Sequence, residues 1–180
     1  MTKATYDDIV ALPDSKIGEI VEGELYASPR PALRHAKIAV GLVVALGTRF
    51  SREQLGSKGW HILFEPEVHL GDEVFVPDLA GWRIERLESI PDTAWADTAP
   101  DWVCAILSPS TGHYDRAVKL PAYARHGVSY AWIADPSVRR IETFVREGAG
   151  WRATGSWSGD GELAAPPFES VAVDLRAIWT

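Results

Sequence analysis

Apolar positions along this chain come in short runs at two spacings, and the spacings assign the elements. From residue 33 onward, Leu33, Ala36, Val40, Val43 and Gly47 recur at the 3.6-residue period of a helix, and Ile38, Leu42 and Leu46 widen that face. A helix apolar over so much of its circumference is expected to lie mostly buried across a sheet, with Arg34 and Lys37 near an exposed N-terminal end. The runs at 60–70 and 73–82 read as two strands joined by a Gly71-Asp72 turn, which puts Asp78 in mid-sheet. The unbroken run 102–107 suits a strand covered on both faces, and Ser108-Pro109-Ser110-Thr111-Gly112 stops it.

The remaining elements fall around these. Thr5 is placed to cap a helix over 6–12 that Pro13 ends, and strands over 17–21 and 25–27 flank the tight-turn dipeptide Glu22-Gly23. Residues 85–100 are acidic and broken by Pro91 and Pro100, so they read as a loop with one helical turn near 84–87. Residues 114–126 are helical in character; Pro121 is expected to bend that helix or delay its start, and Gly127 to cap it. Strands over 130–134, 140–145, 151–157 and 171–175 complete the order. Such an order predicts an α/β fold with a mixed sheet, in one domain for 180 residues.

Composition narrows the class. With 46% hydrophobic and 24% charged residues the chain can bury a core unaided. Its single cysteine, Cys104, lies inside an apolar run, which removes disulfides and cysteine-rich zinc sites and leads us to expect a cytoplasmic protein. No apolar run approaches the about 18 residues of a membrane span. A net charge of −7 argues against indiscriminate coating of nucleic acid. Basic residues nevertheless gather at Arg30, Arg34, His35 and Lys37, and again at His113, Arg116, Lys119, Arg125 and His126, which leaves room for a local phosphate-binding face beside the default of solvated charge.

Individual residues suggest chemistry. Asp78, inside an apolar stretch after Pro77, needs a cation, a donor or an edge position, so it is a candidate ligand as well as a candidate turn acid. Lys119, Tyr123 and His126 are spaced to share a helix face, where Lys119 either addresses a site or is a surface charge. Either Glu19 or Glu24 could face a site; if 17–21 is a strand, Glu19 points inward with Ile17 and Val21, which favours it. Gly-x-Ser-x-Gly and His-Glu-x-x-His are both absent, which disfavours a serine hydrolase and a zinc protease. Trp82, Trp102 and Trp132 sit in strand patterns that favour core packing over base stacking.

Several stretches together resemble one family. Glu19-Ile20-Val21-Glu22-Gly23-Glu24-Leu25, His35, Pro77-Asp78-Leu79-Ala80, Pro100 through Thr111, Tyr114-Asp115-Arg116, Lys119, Tyr123-Ala124-Arg125, Gly127-Val128, Trp132-Ile133 and Asp135-Pro136 are similar in type and order to the Uma-two family of restriction-endonuclease-like proteins, over roughly residues 5–145. The resemblance implies a restriction-endonuclease-like core, a mixed β-sheet flanked by helices, and a DNA endonuclease of the PD-(D/E)xK type. In such a site acids hold Mg²⁺ or Mn²⁺ and a lysine assists the attacking water. Carried over by position, Asp78 and the backbone carbonyl of Ile106 would bind metal with Glu19, Lys119 would be the lysine, and Arg34, His35, Lys37 and Arg116 would face DNA, in a homodimer.

One position departs from the pattern. Where the family has glutamate before Ile-Leu-Ser-Pro-Ser, this chain has Ala105, and a methyl group binds no cation. The expectation is therefore an impaired or inactive Mg²⁺-dependent endonuclease, with a non-catalytic DNA-binding or self-assembling protein on the same scaffold as the alternative. Natural loss and an inactivating replacement would both leave an alanine here.

Overall fold

The computed structural model describes residues 3–180, the side chain of Ser57 excepted. Helix α1 (Tyr6–Val10) opens the fold, its N-terminus held by the Thr5 N–H donating to the Asp8 carboxylate at 2.8 Å. Strands β1 (Lys16–Val21) and β2 (Glu24–Pro29) then form the expected hairpin, with Glu22 and Gly23 both at positive φ as the tight turn demands. After α2 (Leu33–Phe50) and the short α3 (Arg52–Leu55) come β3 (Trp60–Phe64), β4 (Glu67–Leu70), β5 (Glu73–Phe75), β6 (Leu79–Arg83), β7 (Trp95–Ala96) and β8 (Trp102–Ile106). A helical segment follows as α4 (Gly112–Tyr114), a π-turn (Asp115–Lys119) and α5 (Leu120–Arg125). Strands β9 (Tyr130–Asp135), β10 (Arg140–Glu147), β11 (Gly150–Ser158), β12 (Glu162–Leu163) and β13 (Val173–Asp174) lead to a closing helix α6 (Leu175–Trp179).

These strands make a mixed α/β fold with two principal sheets. One runs β2-β1-β5-β4-β7 and the other β11-β10-β9-β8-β6-β3, the β8–β9 pair being parallel among antiparallel neighbours. The long strands expected at 60–70 and 73–82 are each cut in two, because the chain passes from one sheet to the other at Glu65-Pro66 and again at Val76-Pro77-Asp78. Proline explains both cuts: it has no N–H for a ladder and restricts the residue before it. Asp78 therefore stands at the entrance to β6 instead of in mid-sheet. The two crossings are tied together, the Glu65 N–H donating to the Asp78 carbonyl at 3.0 Å.

Helix α2 crosses the larger sheet with His35, Ile38, Ala39, Leu42, Leu46 and Phe50 inward. The stripe expected to be buried with them is partly turned out, for Leu33 is 90% exposed and Val40 is exposed as well. The inward face is one position out of phase with the spacing of Leu33, Val40 and Gly47, because β-branched residues on both sides of the helix blur its apolar edge. Around Phe168, the rings of Phe50, Trp60, Trp102 and Trp132 pack at tilted or edge-on angles, and Trp82, Trp102 and Trp132 are buried as their strand positions predicted. The last expected strand, 171–175, is only the two residues of β13 before α6 begins, Asp174 capping that helix through the Arg176 N–H at 2.9 Å. No helix among the described residues is long and apolar enough to cross a membrane.

Candidate active site at the seam between the two sheets

Because Pro77 denies the ladder a donor, the main chain at Val76 is left to side chains, and β1 supplies one. Glu19, in the strand beside β5, accepts the Val76 N–H at 2.7 Å through Oε1. Lys119 reaches the same place from the π-turn: its Nζ lies 2.8 Å from Glu19 Oε1, donates to the Val76 carbonyl at 3.1 Å, and stands 3.7 Å from Asp115 Oδ1. A π-turn sets an extra residue into the helix and re-aims the side chains after it. Pro121, just after the π-turn, has no N–H to give back along this helical segment. Glu19 and Lys119 are only 4% and 6% exposed, so each serves as the other's solvent.

The far side of the crossing is built by Asp78. Its Oδ2 accepts the Ile106 N–H at the end of β8, at 2.6 Å, and its Oδ1 lies 3.1 Å from His35 Nε2 on α2. Glu65, at positive φ, brings a further carboxylate beside Asp78, with its Oε1 buried and without a hydrogen-bond partner. A non-glycine residue in that conformation at a site is strained backbone held by its surroundings.

Charge follows from this packing. Burial alone would lower the Lys119 pKa, yet Glu19, Tyr123, Asp115 and Asp78 hold it well above the ordinary value. Burial likewise opposes a charged His35, but the hydrogen bond and charge of Asp78, with Glu65 and the Ile106 carbonyl, raise it. Burial lifts Asp115 to about 6 despite the nearby Lys119 charge, Asp78 adding to the rise. Glu65 is raised by burial and by Asp78, and burial pushes the Tyr114 and Tyr123 phenols up.

Most of these groups border one cleft of about 280 Å³, lined by Glu19, His35, Asp78, Tyr114, Asp115 and Lys119 together with Arg30, Ser108, Ser110 and Thr111; Glu65 and Tyr123 stand behind its wall. The residues expected as acids and lysine thus meet. Ala105 lies just beneath, beside a void of about 10 Å³ that also touches Asp115, Lys119 and Tyr123. Of the residues expected at DNA, Lys37 is exposed, while Arg34 donates to the Pro136 carbonyl at 3.0 Å, Arg116 pairs with Glu142, and His35 is buried against Asp78. Glu65 and Asp115 were missed as site residues from sequence. Asp115 stands four residues before Lys119, a spacing that puts both on one helical face, and Pro66 marked the break at Glu65.

A divalent cation asks for several free oxygens at one point. The expected set of Asp78, the Ile106 carbonyl, Glu19 and position 105 does not fit it. The side chain at position 105 carries no oxygen, Glu19 Oε1 already serves the Val76 N–H and Lys119, and Asp78 is divided between the Ile106 N–H and His35. Among the described residues, no group of three or more His, Cys, Asp or Glu side chains is placed to hold a metal ion.

Comparison with known proteins agrees with this architecture. No curated protein matches the chain. A solved structure similar to it, "a putative nuclease belonging to DUF820 from Anabaena variabilis ATCC 29413", superimposes with a TM-score of 0.78 at 20% identity, covering 98% of this chain and 97% of that one. At that identity the likeness speaks for the fold. The family model for Uma2, described as "Putative restriction endonuclease", matches residues 5–176, which take in every element from α1 to β13 and both sides of the cleft. By that match the chain belongs to the Uma2 family.

Proposed function

We propose that this protein is a restriction-endonuclease-like phosphodiesterase whose substrate class is DNA, and that it is disabled for Mg²⁺-dependent cleavage as its sequence stands. The observation that supports this reading most is the meeting of Glu19, Asp78, Asp115 and Lys119 on one cleft above a methyl group at position 105. In this reading the chain's own residues bind and orient. Lys119 offers an ammonium held charged by its neighbours, and Arg30 with Ser108, Ser110 and Thr111 offers donors in the cleft for phosphate oxygens. The protein acts in the cytoplasm, as one domain, in pairs that address the two strands.

A second reading, a non-catalytic DNA-binding or self-assembling protein, draws on the same geometry, since the acids of the cleft are already engaged by protein donors. Supercoiled plasmid with Mg²⁺ or Mn²⁺ separates the two. Nicking by an Ala105→Glu variant favours the disabled nuclease; retained DNA binding without nicking by that variant assigns the non-catalytic role.

A further inference from the structure

The cleft already contains a cation. We infer that the Lys119 ammonium takes the divalent ion's place in this chain, and that the methyl at position 105 makes the exchange possible. The inference rests on reading the cleft as the counterpart of a nuclease metal site. An ammonium has three donors and no acceptor, and Nζ faces oxygens from three separate segments: Glu19 on β1 at 2.8 Å, the Val76 carbonyl at the sheet crossing at 3.1 Å, and Asp115 on the π-turn at 3.7 Å. Carboxylate and carbonyl oxygens from distant parts of the chain are also what a hard divalent ion gathers. Asp78 is already engaged in this chain, one oxygen accepting the Ile106 N–H and the other lying against His35.

Position 105 decides the balance. Ala105 shares its small void with Asp115, Lys119 and Tyr123, so a glutamate there would bring its carboxylate toward Asp115, on the side of Lys119 that already faces Glu19. Like charges at such range resist ionising together unless more positive charge arrives. With the methyl, Lys119 answers Glu19 and His35 answers Asp78; with a glutamate, the site would need a metal. The Tyr123 hydroxyl agrees with this. It belongs to a residue 4% exposed, on the wall of that void, and has no hydrogen-bond partner, as a donor would whose acceptor side chain has been shortened away.

The test uses the full chain, Mn²⁺ alone and no DNA, read by calorimetric titration and thermal unfolding. Wild type is expected to take up no Mn²⁺ at millimolar concentration and to melt at the same temperature with Mn²⁺ or with a chelator. Ala105→Glu is expected to melt lower in chelator and to gain about 5–10 °C when Mn²⁺ is present at about 100 times its dissociation constant. Ala105→Gln, equal in bulk but uncharged, is expected to show no Mn²⁺ response. Stoichiometric Mn²⁺ uptake by wild type that Asp78→Asn abolishes would overturn the inference, as would equal responses from the Gln and Glu variants. Should Ala105→Glu fail to fold, the wild-type titration still decides. Plasmid nicking by Ala105→Glu alongside Mn²⁺ uptake by wild type would sink this inference and leave the proposed function standing. Mn²⁺ binding confined to an Ala105→Glu variant that does not nick DNA would do the reverse.

Discussion

The Lys119 ammonium and the Glu19 carboxylate lie 2.8 Å apart, both nearly closed off from solvent, and join the π-turn to β1 across the seam of the two sheets. Breaking such a pair by removing one member leaves the other charge buried and uncompensated, which typically costs about 3–5 kcal/mol. Lys119→Met should therefore lower the unfolding free energy by that order in urea titrations. Adding Glu19→Gln to it should recover part of the loss, whereas two additive losses would show that the residues do not act as a pair.

Asp115 gives the protein an acid-side pH dependence of unusual sign. Its pKa rises from 3.8 to about 6 on folding, chiefly through burial, so folding favours the protonated form. The associated stability is present in full below 3.8 and is lost as pH rises through about 6, a difference of about 3 kcal/mol. Asp115→Asn should remove this dependence. Denaturant titrations are then expected to show the variant gaining on wild type between pH 4 and pH 6, and holding a constant lead at higher pH.

His35 should titrate above the 6.5 of an unstructured imidazole, since Asp78, Glu65 and the Ile106 carbonyl outweigh the burial that opposes its charge. Its contribution to stability is complete below 6.5 and is lost as pH climbs through the folded value. NMR titration of the ring should report the raised value, and Asp78→Asn should bring it down.

The two faces of α2 offer a contrast within one helix. Phe50→Ala, which removes the ring that the buried face of α2 packs against Phe168, should cost about 3–5 kcal/mol. Leu33→Ser, at a position 90% exposed, should stay within about 0.5 kcal/mol of wild type. Thermal melts of the two variants check which face of the helix is covered.

Local signals made much of this legible in sequence. Glu22-Gly23 marked the β1–β2 turn, strand parity turned Glu19 inward, and the apolar run ending at Leu107 marked β8. What escaped needed contacts distant in sequence. Pro66 and Pro77 could be read as interruptions, but only the assembled sheets reveal that both mark crossings from one sheet to the other. Lys119 looked as much like a surface charge as a site residue, because its burial depends on Glu19 arriving from another sheet. Leu33 and Val40 carry the helical spacing of core residues yet face outward, since periodicity gives a direction only when one side of a helix is clearly polar. Helix α6 was hidden by its five residues, too few for a period to show.

Relaxation of supercoiled plasmid by wild type, Ala105→Glu and Ala105→Glu/Asp78→Asn, side by side in Mg²⁺ and in Mn²⁺, bears most directly on a cleft disabled at a single position. Nicking by Ala105→Glu alone is the predicted result. Nicking by wild type at the same rate, or by the double variant, would contradict it.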